Sequence, residues 1–328
     1  MKVTKYLPIL AVCLMTTGCN SKKEAVLTSG IDLANLDTTA MPGTSFYQYA
    51  CGGWVKDHPL TDEYSRFGTF DMLRENSREQ LKALIAELAA KKDNAPGSAA
   101  QKVGDLYNIA MDSVKLNQEG VAPIKAELAA IDALKDKGEI YAYIAESQKK
   151  GIRPYFTMFV SADDMNSSMN IVQLYQAGLG MGDRDYYLLE DESSQKMREA
   201  YKNYITRLFT LIGSSPEQAD AAVNAIMKIE RGIAEVSFSR EDLRDSQKNY
   251  NKMSIEDFKA KNDLLNWDVY FESMGMMDIK YLDAKQLSFY EGLSALMKNT
   301  TLDEQKYYLT FNLLSSAAPY LSDPFVAA

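Results

Sequence analysis

Residues 42–74 read PGTSFYQYACGGWVKDHPLTDEYSRFGTFDMLR, a stretch that decides the fold because it gathers aromatic side chains, a glycine pair and two arginines into one segment. Pro42 and Gly43 make a turn. Phe46, Tyr47 and Tyr49, followed by Gly52, Gly53 and Trp54, predict a short buried segment in which the backbone comes close to a neighbour, since glycines carry no Cβ to keep it away. Arg66 and Arg74 stand eight positions apart, a little over two helical turns. On one helix they would share a face, where two guanidiniums can meet one anion.

The same residues carry a resemblance. FYQYACGGW followed by SRFGTFDMLR resembles the start of the ectodomain in the neprilysin and endothelin-converting-enzyme family of zinc metallopeptidases. LYNIAMD at 106–112 is similar to the family's next helix, and GLGMGDRDYYL at 178–188 is similar to its Gly-Leu-Gly, Asp-Arg-Asp-Tyr-Tyr segment. The similarity continues in order from Pro42 to LLSSAAPYLSDPFV near Ala328. It implies a mainly α fold, a multi-helix domain with a small β-hairpin, in an enzyme that hydrolyses peptide bonds with zinc. It also implies that Arg66 and Arg74 are the family's substrate-binding arginines, one or both holding the carboxylate of a peptide's C-terminal residue. A guanidinium fork suits that carboxylate because it binds bidentately. The competing reading pairs them with Asp62, Glu63 or Glu75 as surface ions of little energetic weight.

A zincin holds its metal with two histidines one helical turn apart, HExxH, and a third ligand further on, the intervening Glu acting as base. This sequence contains one histidine, His58, so it holds no HExxH, and no catalytic or metal-ligating residue is assigned to it. His58 follows Lys56 and Asp57 and precedes Pro59, which reads as a surface loop. GxSxG does not occur either, so a serine triad has no nucleophile elbow. Family architecture implies that the zinc motifs belong to the C-terminal part of a longer chain. These residues are therefore read as the N-terminal, substrate-limiting portion of an exported zinc metalloendopeptidase, inert alone. Zinc would bind the complete enzyme and not this chain, and the partners would be peptide substrates and the missing C-terminal catalytic domain. The alternative is a non-catalytic helical lipoprotein that binds peptides or a protein partner.

Residues 1–18 hold Lys2 and Lys5, an apolar run from Tyr6 to Met15 interrupted by Pro8, and Thr16-Thr17-Gly18 ahead of Cys19. This is a signal peptide, too short to persist as a membrane span. A small residue directly before Cys19 suits bacterial lipoprotein processing, although Thr16 stands where Leu is more usual, and ordinary secretory cleavage nearby is the other reading. Lipid on Cys19 would hold the protein at a membrane, on the periplasmic or cell-surface side. Residues 19–41 are polar and aperiodic and read as a flexible tether. A net charge of −9, from 36 basic and 45 acidic residues, argues against a nucleic-acid partner.

Of three cysteines, Cys13 leaves with the signal and Cys19 takes lipid, so Cys51 has no partner for an internal disulfide. The resemblance implies that the Cys of ACGGW is bridged in animal relatives, and here Ala110 stands in LYNIAMD where relatives often have Cys. Cys51 otherwise reads as a small buried apolar residue beside aromatics.

The body, residues 42–328, reads as one mainly helical domain. Ser77 with Gln80 suggests a capping box ahead of Leu81, Leu84, Ile85 and Leu88. Ser98 with Gln101 repeats it ahead of Val103, Leu106, Tyr107 and Ala110, predicting two antiparallel helices around a break at 93–97. Ile124, Leu128, Ile131 and Leu134 mark a third helix ending before Gly138, and 140–149 a fourth ending before Gly151. Residues 155–160 and 169–175, joined by a turn at 163–166, predict a β-hairpin. Helices follow over 194–212, 216–235, 254–265 and 283–320, with Pro216 at a first helical position. In 183–187, Arg184 between two carboxylates suggests a local ion-pair network, with Tyr186 and Tyr187 packed beside it. Exposed apolar surface is expected where the catalytic portion docks.

Overall fold

The computed structural model describes residues 30–61, 64, 66–263 and 265–328. The stretch read as a signal peptide, and Cys19, lie outside these residues. The described chain is mainly helical with a small mixed sheet, as expected. It forms two compact units, one ending at Glu87 and one spanning Leu88–Ala328, where the sequence suggested a single body. Among the described residues, no helix is long and apolar enough to cross a membrane.

The first unit contains α1 (Phe46–Asp57) and all of α2 (Thr69–Ala90) but its last turn, Leu88 to Ala90, which belongs to the second unit. Ser45 caps α1 by accepting a bond from the Gln48 amide at 3.3 Å. The glycine pair acts as the sequence suggested. A Cβ on Gly53 would lie 2.2 Å from the Ala34 carbonyl oxygen and one on Gly52 2.6 Å from Asp37 Cβ, so only glycine lets α1 sit this close to its neighbour. That neighbour is the 3₁₀ turn Leu33–Asn35, inside the stretch read as a tether. Asp37 extends the contact, its amide donating to the Tyr49 carbonyl at 2.9 Å and its carboxylate accepting from Gln48 at 3.0 Å. Residues 33–37 of the stretch read as a tether are therefore packed against α1.

Two other expectations are corrected here. The aromatic segment is helical and not buried, with Phe46 69 % and Tyr47 68 % exposed. α2 starts at Thr69, not at Ser77, because the intervening Asp-Met-Leu-Arg-Glu run favours helix and leaves Ser77 no break to cap.

The second unit holds α3 (Ala99–Ala110), α4 (Ser113–Glu119), α5 (Lys125–Asp132), α6 (Lys137–Lys149), β1 (Phe156–Asp163) and β2 (Asn166–Gln176). These are followed by α7 (Asp185–Leu188), α8 (Glu192–Leu211), α9 (Pro216–Val236), β3 (Lys252–Ser254), α10 (Ile255–Lys261) and α11 (Trp267–Ser273). The chain closes with β4 (Tyr281–Ala284), α12 (Leu287–Asn299), α13 (Leu302–Ala317) and α14 (Asp323–Val326).

Ser98 caps α3 as predicted, although Gln101 reaches back to the Gly97 amide and not to that of Ser98. α3 meets the final residues of α2 at Gly104, where a Cβ would stand 2.8 Å from the Leu88 carbonyl oxygen. Its apolar stripe is left open, with Leu106 68 % and Ile109 62 % exposed. Gly138 lies inside the first turn of α6, which Asp136 caps, and does not end the preceding helix. The predicted helix over 283–320 is strand β4 followed by two helices. Thr301 and Glu304 form a capping box that restarts the chain as α13, a T-x-x-E signal visible in the sequence and overlooked.

The hairpin is found, and it belongs to a sheet ordered β1-β2-β4-β3. β1 and β2 are antiparallel from Phe156↔Gln176 to Ala162↔Asn170, with a shift at Asp163. β2 then pairs parallel with β4, Val172↔Leu282 to Leu174↔Ala284. β3 and β4 are three and four residues long, too short to show alternation in sequence. The hairpin tip is tied down by ions. Asp163 accepts from Lys252 at 2.7 Å and Tyr250 at 2.9 Å, while Lys285 bridges Asp164 and Asp283.

The core lies among α6, α8, α9, α11, α12, α13 and the sheet. Around Trp267, the rings of Phe156, Phe258, Tyr270 and Tyr290 stand with centroids 4.8 to 6.0 Å away, mostly edge to face.

Candidate functional site

Arg66 lies in the non-helical chain before α2, so the eight-residue spacing to Arg74 is not a helical one and the two do not share a helix face. Arg66 is exposed and forms no ion pair among the described residues. Arg74 pairs with Asp71 one turn earlier on α2, with 59 % of its side chain exposed. Glu75, one of the suggested partners, instead accepts from Tyr64 at 2.8 Å and from Arg78 at 3.1 Å. Asp62 and Glu63 lie outside the described residues. An exposed i,i+3 pair contributes at most about 0.5 kcal/mol, so the Arg74 pair adds little to stability.

His58 is the C-cap of α1, not a free surface residue. Its ring stacks on Trp54 at 4.4 Å, and Nδ1 lies 2.9 Å from the Trp54 carbonyl oxygen. Trp54 also faces Phe67, which in turn meets Tyr64 edge to face at 5.1 Å. Cys51 is a free thiol, partly buried. Among the described residues, no group of three or more His, Cys, Asp or Glu side chains could hold a metal ion. With one histidine in the sequence, and that one engaged by Trp54, these residues do not fit a zinc centre.

The second constellation surrounds the segment at 178–187. Glu230 on α9 is buried, and its carboxyl oxygens accept from Tyr187 of α7 at 2.6 Å and Tyr201 of α8 at 3.0 Å. Desolvation pushes the Glu230 carboxyl up to about 8 against the opposing pull of these donors. Burial and the neighbouring carboxyl push both tyrosines up.

The loop is shaped by what it covers. A Cβ on Gly180 would lie 1.8 Å from the Tyr201 hydroxyl, and one on Gly178 2.7 Å from that of Tyr308. Tyr308 donates to the Gly178 carbonyl at 2.8 Å and accepts from the Tyr155 amide at 3.2 Å. Tyr155 holds φ +66°, a left-handed conformation uncommon outside glycine.

The predicted network at 183–187 is thus rearranged. Arg240, 57 positions downstream, pairs with Asp183, while Arg184 donates to the Ser237 carbonyl. Tyr187 is packed as expected. Sequence reasoning missed Glu230 and Tyr201. The one available signal was an acid falling on the apolar face of α9, between Ile226 and Ile233 at helical spacing.

This helical body with its small sheet has the fold of the N-terminal portion of zinc metalloproteases. It is similar to the crystal structure of Mycobacterium tuberculosis zinc metalloprotease Zmp1 in complex with an inhibitor, with a TM-score of 0.81 and 25 % identity over 91 % of this chain and 46 % of that one. PepO from Lactobacillus rhamnosis HN001 shares the fold with a TM-score of 0.67, at 20 % identity over 84 % of this chain and 43 % of that one. Residues 42–328 match the N-terminal model of peptidase family M13, and the chain belongs to that family. It is 27 % identical to endothelin-converting enzyme 1 of Homo sapiens over 319 residues, 94 % of this chain and 40 % of that protein. The mouse enzyme gives 27 % over 326 residues, 96 % and 41 %. The chain therefore spans about two fifths of the length of these relatives.

Proposed function

We propose that the chain is the N-terminal, substrate-limiting portion of an exported zinc metalloendopeptidase that hydrolyses small peptides, with the zinc chemistry supplied by a C-terminal catalytic portion. The observation that carries this reading is the match of residues 42–328 to family M13 in a sequence with a single histidine. The first unit supports the need for a partner. Gly52 is the one buried residue in α1 and α2 has none, while Phe70 is 88 % exposed. A helix with no buried residue draws little stability from packing, and the catalytic portion is the cover proposed for α2 and for the exposed aromatics of α1. Cys19 lipidation would hold the assembly at a membrane.

Within this reading Arg66, exposed and unpaired among the described residues, docks the C-terminal carboxylate of a peptide; Arg74, committed to Asp71, contributes less. Hydrogen bonds to charged groups are worth about 1.5–3 kcal/mol, so Arg66→Ala in the complete gene product should raise KM for free-carboxylate peptides about tenfold or more. C-terminally amidated peptides should be little affected, and equal losses for both would remove the role. The chain alone, supplied with zinc and a fluorogenic peptide, should show no turnover. Turnover by the pure chain would overturn the proposal. The rival binding module predicts that the chain alone binds peptides, with an affinity that the catalytic portion does not change.

A further inference from the structure

The C-terminal half of α5, the turn between α8 and α9, and α13 line an open cavity of about 570 Å³, within the size range of small-molecule sites. On α13, Asp303, Lys306, Tyr307 and Thr310 recur at i, i+3, i+4 and i+7, so an acid, a base, a ring and a hydroxyl line the cavity from one helix face. Asp132 ends α5, and Phe209 of α8 supplies an apolar wall, its ring 5.9 Å from that of Tyr307 and edge to face with it.

The polar groups of this lining are under-used. Among the described residues, the Asp132 and Asp303 carboxylates have no hydrogen-bond or ion-pair partner, while Lys306 gives one N–H to the Asp132 carbonyl oxygen at 2.7 Å and keeps donors to spare. Thr310 is the sharper sign. It is 8 % exposed, and its hydroxyl makes no hydrogen bond among the described residues, whereas Thr206 and Thr210 on α8 each donate to the carbonyl four residues back, at 3.0 and 2.8 Å. The little exposure that Thr310 keeps opens on the cavity it lines. A buried hydroxyl without a partner is costly unless water or a ligand completes it.

We propose that this cavity binds a free α-amino acid with an apolar side chain, its ammonium held by the Asp132 and Asp303 carboxylates, its carboxylate by Lys306 and its side chain by Phe209 and Tyr307, with the Thr310 hydroxyl completing the polar contacts. Two carboxylates without a third ligand do not make a metal site. A simple amine would bring a like charge to Lys306, and a simple acid would meet the two carboxylates; a zwitterion answers both signs. This inference does not depend on the peptidase reading.

Titrating the full chain with L-phenylalanine, N-acetyl-L-phenylalanine and L-phenylalanine amide, followed by saturation-transfer NMR, reads the two ends of the ligand separately. L-phenylalanine should saturate with a dissociation constant of about 1 mM for a ligand of its size, and blocking either end should weaken binding about tenfold or more. Equal affinity for the amide would make this an organic-cation pocket, equal affinity for the N-acetyl form an anion pocket, and no saturation by L-phenylalanine a merely solvated groove; each outcome overturns the proposal. Lys306→Met should erase the preference for a free carboxylate. Asp303→Asn, at an exposed position, should narrow the preference over the N-acetyl form, and Thr310→Val should weaken L-phenylalanine about threefold or more. Binding that Lys306→Met and Asp303→Asn both leave unchanged lies elsewhere and would equally sink the assignment.

Discussion

α2 and α9 are nearly the same length, 22 and 21 residues, and both carry apolar residues at helical spacing, yet α2 buries none of its residues and α9 buries eight. α9 runs through the middle of the core, touching α8, α12 and α13, and its alanines let those helices approach closely. α2 relies on helix-forming residues and one-turn ion pairs such as Arg78 with Glu75. Periodicity identifies the face that seeks cover and says nothing of whether this chain supplies it. In the reading proposed above, the open face of α2 belongs to an assembly larger than these residues.

The contrast can be broken by truncation. Ile229→Ala, at a position with no exposure, should cost about 2–5 kcal/mol, read as a lower urea midpoint. A loss under 1 kcal/mol there would mean the core is looser than described. Next in size is Gly180→Ala, which drives a methyl group into the Tyr201 hydroxyl and should cost about 1–3 kcal/mol by overpacking. A neutral result would show that the loop around Gly180 can shift to admit the methyl group.

Smaller over any single pH unit is the slope of global stability with pH. Because Glu230 is raised from 4.5 to about 8, its contribution should decline with rising pH across that window, by at most about 1.4 kcal/mol per pH unit. Subtracting the Glu230→Gln curve isolates it from the other carboxylates, and a flat difference would remove the assignment. The smallest change is expected at Leu84→Ala on α2, 49 % exposed, where stability of the chain by itself should stay within about 0.5 kcal/mol. If that same substitution weakens capture of the catalytic portion, the open face has found its cover; if it destabilises the chain alone by more than 1 kcal/mol, α2 is buried after all.

Much of the candidate site was legible because its signals are local or belong to a family pattern. The glycine pair at 52–53 announced a close approach, but not that residues 33–35 would make it. Arg66 and Arg74 were identifiable by resemblance, while the helix boundary at Thr69, which separates them, depended on a continuous run of helix formers outweighing the Ser77 cap signal. Asp183-Arg184-Asp185 suggested a self-contained network, and the arginine that pairs with Asp183 comes from position 240. Neighbouring charges in sequence compete with partners that only folding brings near.

The amino-acid order by itself determined the elements whose causes lie within a turn or two of chain. Ser215 and Pro216 start α9, Ser98 starts α3, and alternation writes the hairpin. Tertiary structure alone decided that β2 runs beside β4, across 110 residues from Val172 to Leu282, and that Tyr187 and Tyr201 converge on Glu230. Caps and periods report bonds within four or five residues, so they are inscribed locally. Burial of an acid, register between distant strands and cover over an apolar stripe are summed over the whole packed chain, and no short window of sequence records that sum.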